Sequence, residues 1–222
     1  GGTSSKSFYD NHWAAIRNTL KAGDYVFIQF GINDSKKTDP ARYTIPFTTF
    51  QQYLTKFVNE TRAKGAFPVL VSTVRRNAWN ADNATVYNAY HDYPVATRQL
   101  AQSSLNVPLL DLDLMAKTFM ESLGQEYVTN YLYMNLAAGE YPNYPNGKAD
   151  NVHFQEMGAI EMAKLVVKGI RSLSNDPAVG KLIPHLLATN AVNVSSNNIN
   201  AGLFTRSESY PVGINVTIKA RP

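Results

Sequence analysis

Asp150 and His153 have the residue types and the spacing of an acid–base pair. Histidine exchanges protons near neutral pH and is the usual general base. A carboxylate three residues earlier, across a tight turn, can hydrogen-bond one ring nitrogen, fix the tautomer and stabilise the imidazolium. A structural alternative stays open, in which Asp150 is the N-cap of the following helix and His153 lies in its first turn.

The segment Gly31-Ile32-Asn33-Asp34 offers a neutral hydrogen-bond donor. Asn33 follows a continuous apolar run, so its amide can point into a crevice at the end of a buried strand. A fixed amide N–H suits the stabilisation of a developing oxyanion, and Asp34 can brace the turn through backbone hydrogen bonds. An ordinary Asx turn accounts for the same residues and is the favoured interpretation of this segment on its own.

Other polar residues are weaker candidates. Either Arg75 or Arg76, which follow a predicted strand, could bind a substrate carboxylate or hydroxyl, although a salt bridge to a nearby loop is at least as good an interpretation. Asp111 and Asp113 have no third ligand clustered with them, so no metal site is predicted. The other three histidines are predicted to be exposed, structural or in a linker: His12, His91 and His185.

The elements that must position these residues alternate between helix and strand. Continuous apolar runs predict three strands that are buried on both faces, at 25–30, 67–73 and 107–112. Helices are predicted at 11–21, 46–64, 93–104, 113–123 and 155–172. Residues 124–150, rich in Tyr, Asn, Pro and Gly, are predicted to form a long loop. The alternation predicts an α/β fold with a parallel sheet, whose ligand sites lie beyond the carboxyl ends of the strands.

The C-terminal part departs from this pattern. Residues 174–190 lack clean periodicity and are predicted to be a linker or a wrap, and residues 191–222 alternate as short strands. We therefore expect a main α/β domain over 1–173, a linker over 174–190, and a β-rich tail or partial β-repeat module over 191–222.

Composition excludes several classes of protein. The 222 residues include no cysteine, which excludes a disulfide scaffold, a thiolate nucleophile and Cys-ligated metal centres. The net charge is +4, but Lys and Arg are scattered, so no nucleic-acid partner is predicted. No apolar stretch approaches the roughly 18 residues of a membrane span, so no membrane partner is predicted either.

Together these pieces resemble the SGNH (GDSL-type) hydrolases, and in particular the rhamnogalacturonan acetylesterase-like carbohydrate esterases. The resemblance covers about residues 1–172 and rests on four segments in the family's order: Gly2–Phe8, Ala22–Asp34, Arg62–Leu70 and Asp150–Phe154. The resemblance depends on the order, strand context and spacing of these motifs together, and not on any one motif.

The resemblance implies roles for four residues. His153 matches the family's catalytic base, and Asp150 matches the carboxylate that orients it. Gly2 matches the glycine whose backbone N–H serves the oxyanion hole, with Gly1 as a less favoured alternative. Asn33 matches the asparagine whose side chain serves the same hole.

The resemblance also implies a three-layer α/β/α, flavodoxin-like fold with strand order 2-1-3-4-5. The family's nucleophile is the serine of a Gly-Asp-Ser block that ends the central first strand. That block is missing here, because the only Gly-Asp is Gly23-Asp24, followed by Tyr25. Without the central strand, residues 25–30 would present an unpaired apolar edge. We therefore expect the first strands and the serine on an N-terminal segment, absent from this chain, that acts as its partner.

The implied function is a serine esterase that removes acetyl groups from a pectic, rhamnogalacturonan-type polysaccharide of the plant cell wall. It needs no cofactor and no metal. Aromatic side chains in the predicted loops could stack on sugar faces: Trp79, Tyr141 and Tyr144. Two alternatives stay open, a lipase or thioesterase of the same family and an inactive carbohydrate-binding remnant. A polysaccharide substrate would place the protein outside the cytoplasm, as a secreted, cell-surface or periplasmic protein.

Overall fold

Three parallel strands form the sheet at the centre of the computed structural model, which describes residues 2–186, 188–192, 203–204, 208–213 and 220–221. They are β1 (Tyr25–Gln29), β2 (Phe67–Val71) and β3 (Leu109–Leu110), in the order β1-β2-β3. Tyr25 pairs with Phe67 and Leu70 with Leu109. The predicted α/β class and the parallel sheet are confirmed.

Helices cover one face of this sheet. The first helical segment is built from α1 (Ser5–Phe8), a π-helical stretch (Tyr9–Trp13) and α2 (Ala14–Thr19). A second π-helical stretch (Pro46–Phe50) leads into α3 (Gln51–Ala63), and α4 (Tyr93–Ala101) follows β2. Their apolar sides pack with two sheet residues in one cluster, whose largest members are Ile28, Leu70, Trp13, Phe50, Leu54, Phe57 and Tyr93.

The opposite face is covered by α5 (Leu112–Leu123) and α7 (Glu156–Ser172). Side chains alternate between the faces of a strand, so Val69 and Val71 of β2 lie in a second cluster with Leu110, Met162 and Ile170. Two helical layers therefore enclose the sheet, as the three-layer prediction requires.

Residues 124–150 contain more structure than the predicted loop. They form α6 (Gln125–Tyr127), a π-helical stretch (Val128–Leu132), β4 (Tyr133–Leu136) and the beginning of β5 (Lys148–Phe154), which pairs antiparallel with β4. The prediction of one long loop was wrong because Pro, Gly and Asn dominate only residues 137–147. Upstream of them, Leu132 and Tyr133 are fully buried in a third cluster.

The outer edge of β1 is open. No strand of the described part of the chain pairs with β1 on the side away from β2. An apolar groove of about 420 Å³ runs along β1 from Val26 to Asn33 and is also lined by Phe8 and Trp13. Phe27 is 41% exposed there, which is unusual for a strand residue at the centre of an α/β protein.

The segment after α7 contains a 3₁₀ helix (Val179–His185) whose Val179 is buried in the second cluster. Beyond it lie two short antiparallel pairs, β6 (Thr189–Val192) with β8 (Glu208–Pro211) and β7 (Leu203–Phe204) with β9 (Ala220–Arg221). The other residues of the predicted β-rich tail lie outside the described residues, and the division into three units stays a prediction. No helix among the described residues has the length and apolarity needed to cross a membrane.

Candidate active site

Asp150 and His153 form a hydrogen-bonded pair on β5. The Nδ1 atom of His153 lies 2.7 Å from Oδ2 of Asp150. Oδ1 of the same carboxylate accepts hydrogen bonds from the backbone N–H groups of Val152, at 2.8 Å, and His153, at 3.1 Å. The following helix α7 has Gln155 as its N-cap, so the alternative interpretation of Asp150 as a helix cap is wrong.

The contacts of Asp150 keep its carboxylate ionised. Burial on its own raises the pKa of Asp150, but the hydrogen bonds from the His153 ring and from the backbone of Val152 and His153 outweigh burial and lower the pKa to about 2. The His153 side chain is 73% exposed, whereas that of Asp150 is 18% exposed. A shielded anion therefore holds one ring nitrogen, while the rest of the imidazole faces solvent, which is the arrangement of an oriented general base.

Asp34 anchors the turn after β1. The fully buried carboxylate accepts hydrogen bonds from the N–H of Gly31 at 3.0 Å and from the hydroxyl of Thr44 at 2.9 Å. It also accepts both the N–H and the hydroxyl of Ser5, 29 residues earlier in the chain. Burial raises the pKa of Asp34, and these hydrogen bonds oppose that rise. The segment is thus more than a local Asx turn, because its carboxylate connects the turn to the start of α1.

Asn33 and the Gly2-Thr3 segment lie side by side. The Nδ2 atom of Asn33 donates to the backbone carbonyl of Thr3 at 3.1 Å. A carboxamide has two N–H donors, and the bond to Thr3 uses one of them. Gly2 is exposed with a φ of +81°, which glycine adopts without strain. Its carbonyl oxygen accepts a hydrogen bond from Arg42 at 2.9 Å.

Both halves of the predicted site are next to residues that pack against the second cluster. Ile32, which precedes Asn33, and Phe154, which follows His153, both pack against that cluster. No direct contact between Asn33 or Gly2 and the Asp150–His153 pair is found among the residues that the structure describes. The joint role of the four residues therefore stays a prediction.

The sequence matches the family described as GDSL-like lipase/acylhydrolase over residues 10–166. This chain belongs to that family. Its enzyme class is that of the family, the carboxylic ester hydrolases, as predicted from the sequence.

Similar proteins include carbohydrate esterases. The rhamnogalacturonan acetylesterase RhgT of Bacillus subtilis (strain 168) is 42% identical over 174 residues, which are 78% of this chain and 72% of RhgT. Among solved structures, protein YxiM of Bacillus subtilis is similar with a TM-score of 0.63 and 23% identity, over 79% of this chain and 45% of YxiM. The acetylxylan esterase Axe2 of Geobacillus stearothermophilus has a TM-score of 0.54 and 15% identity, over 76% of this chain and 68% of Axe2. Both structures support the fold of the GDSL family.

The serines near Gly2 have structural roles in this GDSL-family chain. The Ser4 hydroxyl accepts from the Ser7 N–H at 3.2 Å, and the Ser7 hydroxyl accepts from the Ser4 N–H at 2.9 Å, so the two residues form a capping box at α1. Ser5 is fully buried against Asp34. The Ser35 hydroxyl donates to the carbonyl of Ile32 at 2.8 Å. None of these hydroxyls is bonded to His153.

The weaker candidates are held in structural contacts. Arg75 is buried and lies 2.6 Å from Asp113, which also binds Arg98 at 2.8 Å. The predicted salt bridge of Arg75 is therefore confirmed, but its partner lies on helix α5 and not on a loop. Arg98 also contacts Asp111, at 3.3 Å. No group of three metal-ligating residues exists among the described residues. His12 and His91 are exposed, and His185 ends the 3₁₀ helix after α7.

Sequence reasoning missed the contacts that hold the Asp150–His153 pair in place. Asn151, between the two, accepts a hydrogen bond from the Arg76 side chain, and its carbonyl accepts from the Asn77 N–H at 2.9 Å. Both contacts join residues about 75 positions apart, and no local sequence pattern predicts them.

Proposed function

We propose that this protein is a serine acetylesterase that removes acetyl groups from a rhamnogalacturonan-type, pectic polysaccharide. The observation that carries the proposal is the Asp150–His153 pair, a shielded carboxylate on Nδ1 of an exposed imidazole. The relative RhgT, which is 42% identical, is named a rhamnogalacturonan acetylesterase. This name supports the acetyl group as the group removed and rhamnogalacturonan as the polymer. The proposed chemistry needs no metal or organic cofactor.

In the proposed reaction, His153 removes the proton from a serine hydroxyl as the serine oxygen attacks the acetyl carbonyl carbon. Asp150 stabilises the imidazolium that forms. The negative charge that develops on the carbonyl oxygen is held by the Gly2 N–H and the second Asn33 amide N–H. When the tetrahedral intermediate collapses, the ester C–O bond breaks and His153 returns the proton to the sugar oxygen. Water then repeats the sequence on the acyl-enzyme and releases acetate.

The proposed nucleophile lies on a segment that pairs with the open edge of β1. The apolar groove along this edge extends from Val26 to Asn33 and reaches Thr3, next to Gly2. A strand seated there parallel to β1 would end beside Asn33 and the Gly2-Thr3 segment. A serine at its carboxyl end would then face the proposed oxyanion donors.

The test uses protein that includes the segment upstream of Gly1. Acetate release from acetylated rhamnogalacturonan is measured for the unaltered protein, for His153→Ala, and for His12→Ala as a matched exposed-histidine control. We expect release by the first and third proteins and a loss of at least about 10³-fold in kcat for His153→Ala. A fluorophosphonate probe should label a serine of the upstream segment. Undiminished activity in His153→Ala would refute the assigned base.

The same experiment separates the alternatives. A broad chain-length profile on p-nitrophenyl esters, without acetate release from the polymer, would favour a lipase or thioesterase. Binding of the polymer without hydrolysis of either substrate would favour a carbohydrate-binding remnant. A polysaccharide substrate also places the proposed site of action outside the cytoplasm, in a secreted, cell-surface or periplasmic protein.

A further inference from the structure

A second cleft, of about 610 Å³, opens beside the Asn33 turn. One wall comes from the segment after β1 and includes Ser35, Lys37 and Tyr43. The other wall comes from the segment before α4 and includes Tyr87 and His91. The volume lies within the range of small-molecule and sugar sites.

The cleft borders the proposed oxyanion donors. Ser35 is two residues beyond Asn33, so their Cα atoms lie within about 7.6 Å of each other. The buried hydroxyl of Tyr93 joins the two walls, because it donates to the carbonyl of Asp34 at 2.7 Å. A ligand in the cleft therefore lies beside the turn that carries Asn33.

The segment that forms the second wall is joined to the loop after β2. The Tyr87 N–H donates to the Ala78 carbonyl of that loop at 2.8 Å. Asn77 of the same loop donates its N–H to the carbonyl of Asn151, between Asp150 and His153, at 2.9 Å. One loop therefore contacts both the wall of the cleft and the segment of the proposed base.

The side chains of the cleft suit a charged sugar. Tyr87 is 45% exposed, and its ring lies nearly perpendicular to that of His91 at a centroid distance of 6.4 Å. Aromatic faces pack against the C–H face of a sugar ring. Lys37 is exposed and forms no salt bridge within the described part of the chain, so its ammonium group can bind a carboxylate. Asp92, also in the lining, can accept sugar hydroxyls but disfavours a carboxylate beside it.

We propose that this cleft is a subsite for a uronic acid residue of the polymer, with Lys37 binding the carboxylate and Tyr87 packing on the ring. The proposal rests on the proposed acetylesterase function. It makes Lys37 and Tyr87 determinants of polymer specificity, with no part in breaking the ester bond.

The kinetic test compares Lys37→Gln and Tyr87→Ala with Lys36→Gln, which removes a neighbouring exposed ammonium group outside the cleft lining. Acetylated rhamnogalacturonan, acetylated xylan and p-nitrophenyl acetate are the substrates. For Lys37→Gln we expect KM for the uronate polymer to rise about 5- to 20-fold, with kcat retained. The ratio of kcat/KM for this polymer to that for p-nitrophenyl acetate should fall by the same factor. Lys36→Gln should match the unaltered protein, and an equal fall on all three substrates would overturn the proposal.

A binding measurement separates this proposal from the proposed reaction. Titration with a de-esterified oligogalacturonide, followed by NMR or calorimetry, needs no catalysis. We expect binding by the unaltered protein and about 5- to 20-fold weaker binding by Lys37→Gln. A neutral galactan oligosaccharide should bind more weakly and be insensitive to Lys37→Gln. Absence of oligogalacturonide binding, or binding unchanged in Lys37→Gln, would overturn the subsite even if acetate release from the polymer is observed.

Discussion

Replacing Asp150 by asparagine keeps the shape of this side chain but changes how it holds His153, the proposed base. The asparagine Oδ1 can still accept the backbone N–H groups of Val152 and His153. Its NH₂ group, however, would stand where Oδ2 now accepts a hydrogen bond from Nδ1 at 2.7 Å. Nδ1 must then accept, so the proton of the neutral ring moves to Nε2, and the ring cannot take a proton from a serine. By analogy with the same change in a Ser-His-Asp triad, we expect kcat to fall about 10⁴-fold.

The same substitution should reduce stability in a pH-dependent way. The pKa of Asp150 falls from its ordinary value of 3.8 to about 2. At about 1.4 kcal/mol per pKa unit, this corresponds to about 2 kcal/mol. Because the His153 partner is 73% exposed, solvent screening weakens its part, and we expect a loss of about 1–2 kcal/mol in the free energy of unfolding at pH 7.

The sign of the pH dependence follows from the direction of the shift. The folded state holds the carboxylate deprotonated to lower pH than the unfolded state does, so the stabilisation is complete above pH 4 to 5. It is lost as the pH falls through 3.8 toward 2. The difference between the unaltered protein and Asp150→Asn should therefore be full at pH 7 and close to zero near pH 2.

Two assays check this reasoning. Urea unfolding at a series of pH values gives the stability difference, and hydrolysis of p-nitrophenyl acetate by protein with its upstream segment gives kcat. Asp10→Asn, which removes an exposed carboxylate on the first helical segment, is the matched control and should change neither quantity appreciably. A stability difference that stays constant from pH 7 to pH 2, or a kcat loss below about tenfold, would show that Asp150 does not act through its charge on His153.

Three further substitutions test the fold that carries the site, each by urea unfolding at pH 7. Gly158→Ala should cost about 2–3 kcal/mol, because its Cβ would lie 2.0 Å from the Leu132 carbonyl oxygen; an unchanged midpoint would contradict this packing. Asp34→Ala should cost about 3 kcal/mol by leaving several buried donors without an acceptor, and Asp34→Asn should recover part of it. Tyr133→Phe should cost about 1–2 kcal/mol, since its hydroxyl donates to the Arg75 carbonyl at 2.6 Å.

The elements that the sequence predicts correctly are those with a strong local pattern. The apolar runs at 25–30 and 67–73 became β1 and β2, and β2 is almost entirely buried, as a continuous apolar run predicts. The Asp150–His153 contact was predictable because the partners are only three positions apart. The segment 124–150 was not, since its composition mixes buried residues such as Leu132 with a short polar turn.

The contacts that place the site were beyond local reasoning. Asp34 bonds to Ser5 across 29 residues, and Arg76 bonds to Asn151 across 75. Such pairs form because the tertiary fold brings their elements together. The residues next to each partner in the sequence do not indicate which distant residue it will contact. The sequence therefore predicted the site residues through their resemblance to a family, while the structure shows which contacts hold each of them.

The carboxylate of Asp34 gathers hydrogen-bond donors from three separate stretches of chain, at Ser5, Gly31 and Thr44. The corner beside it, which holds the proposed oxyanion donors Gly2 and Asn33, is consequently not formed in any fragment shorter than this span. During biosynthesis the corner assembles only after α1, β1 and the following turn have come together. If the proposed function holds, hydrolysis of an ester substrate reports the assembly of this corner, whereas circular dichroism reports only the secondary structure that each stretch contributes.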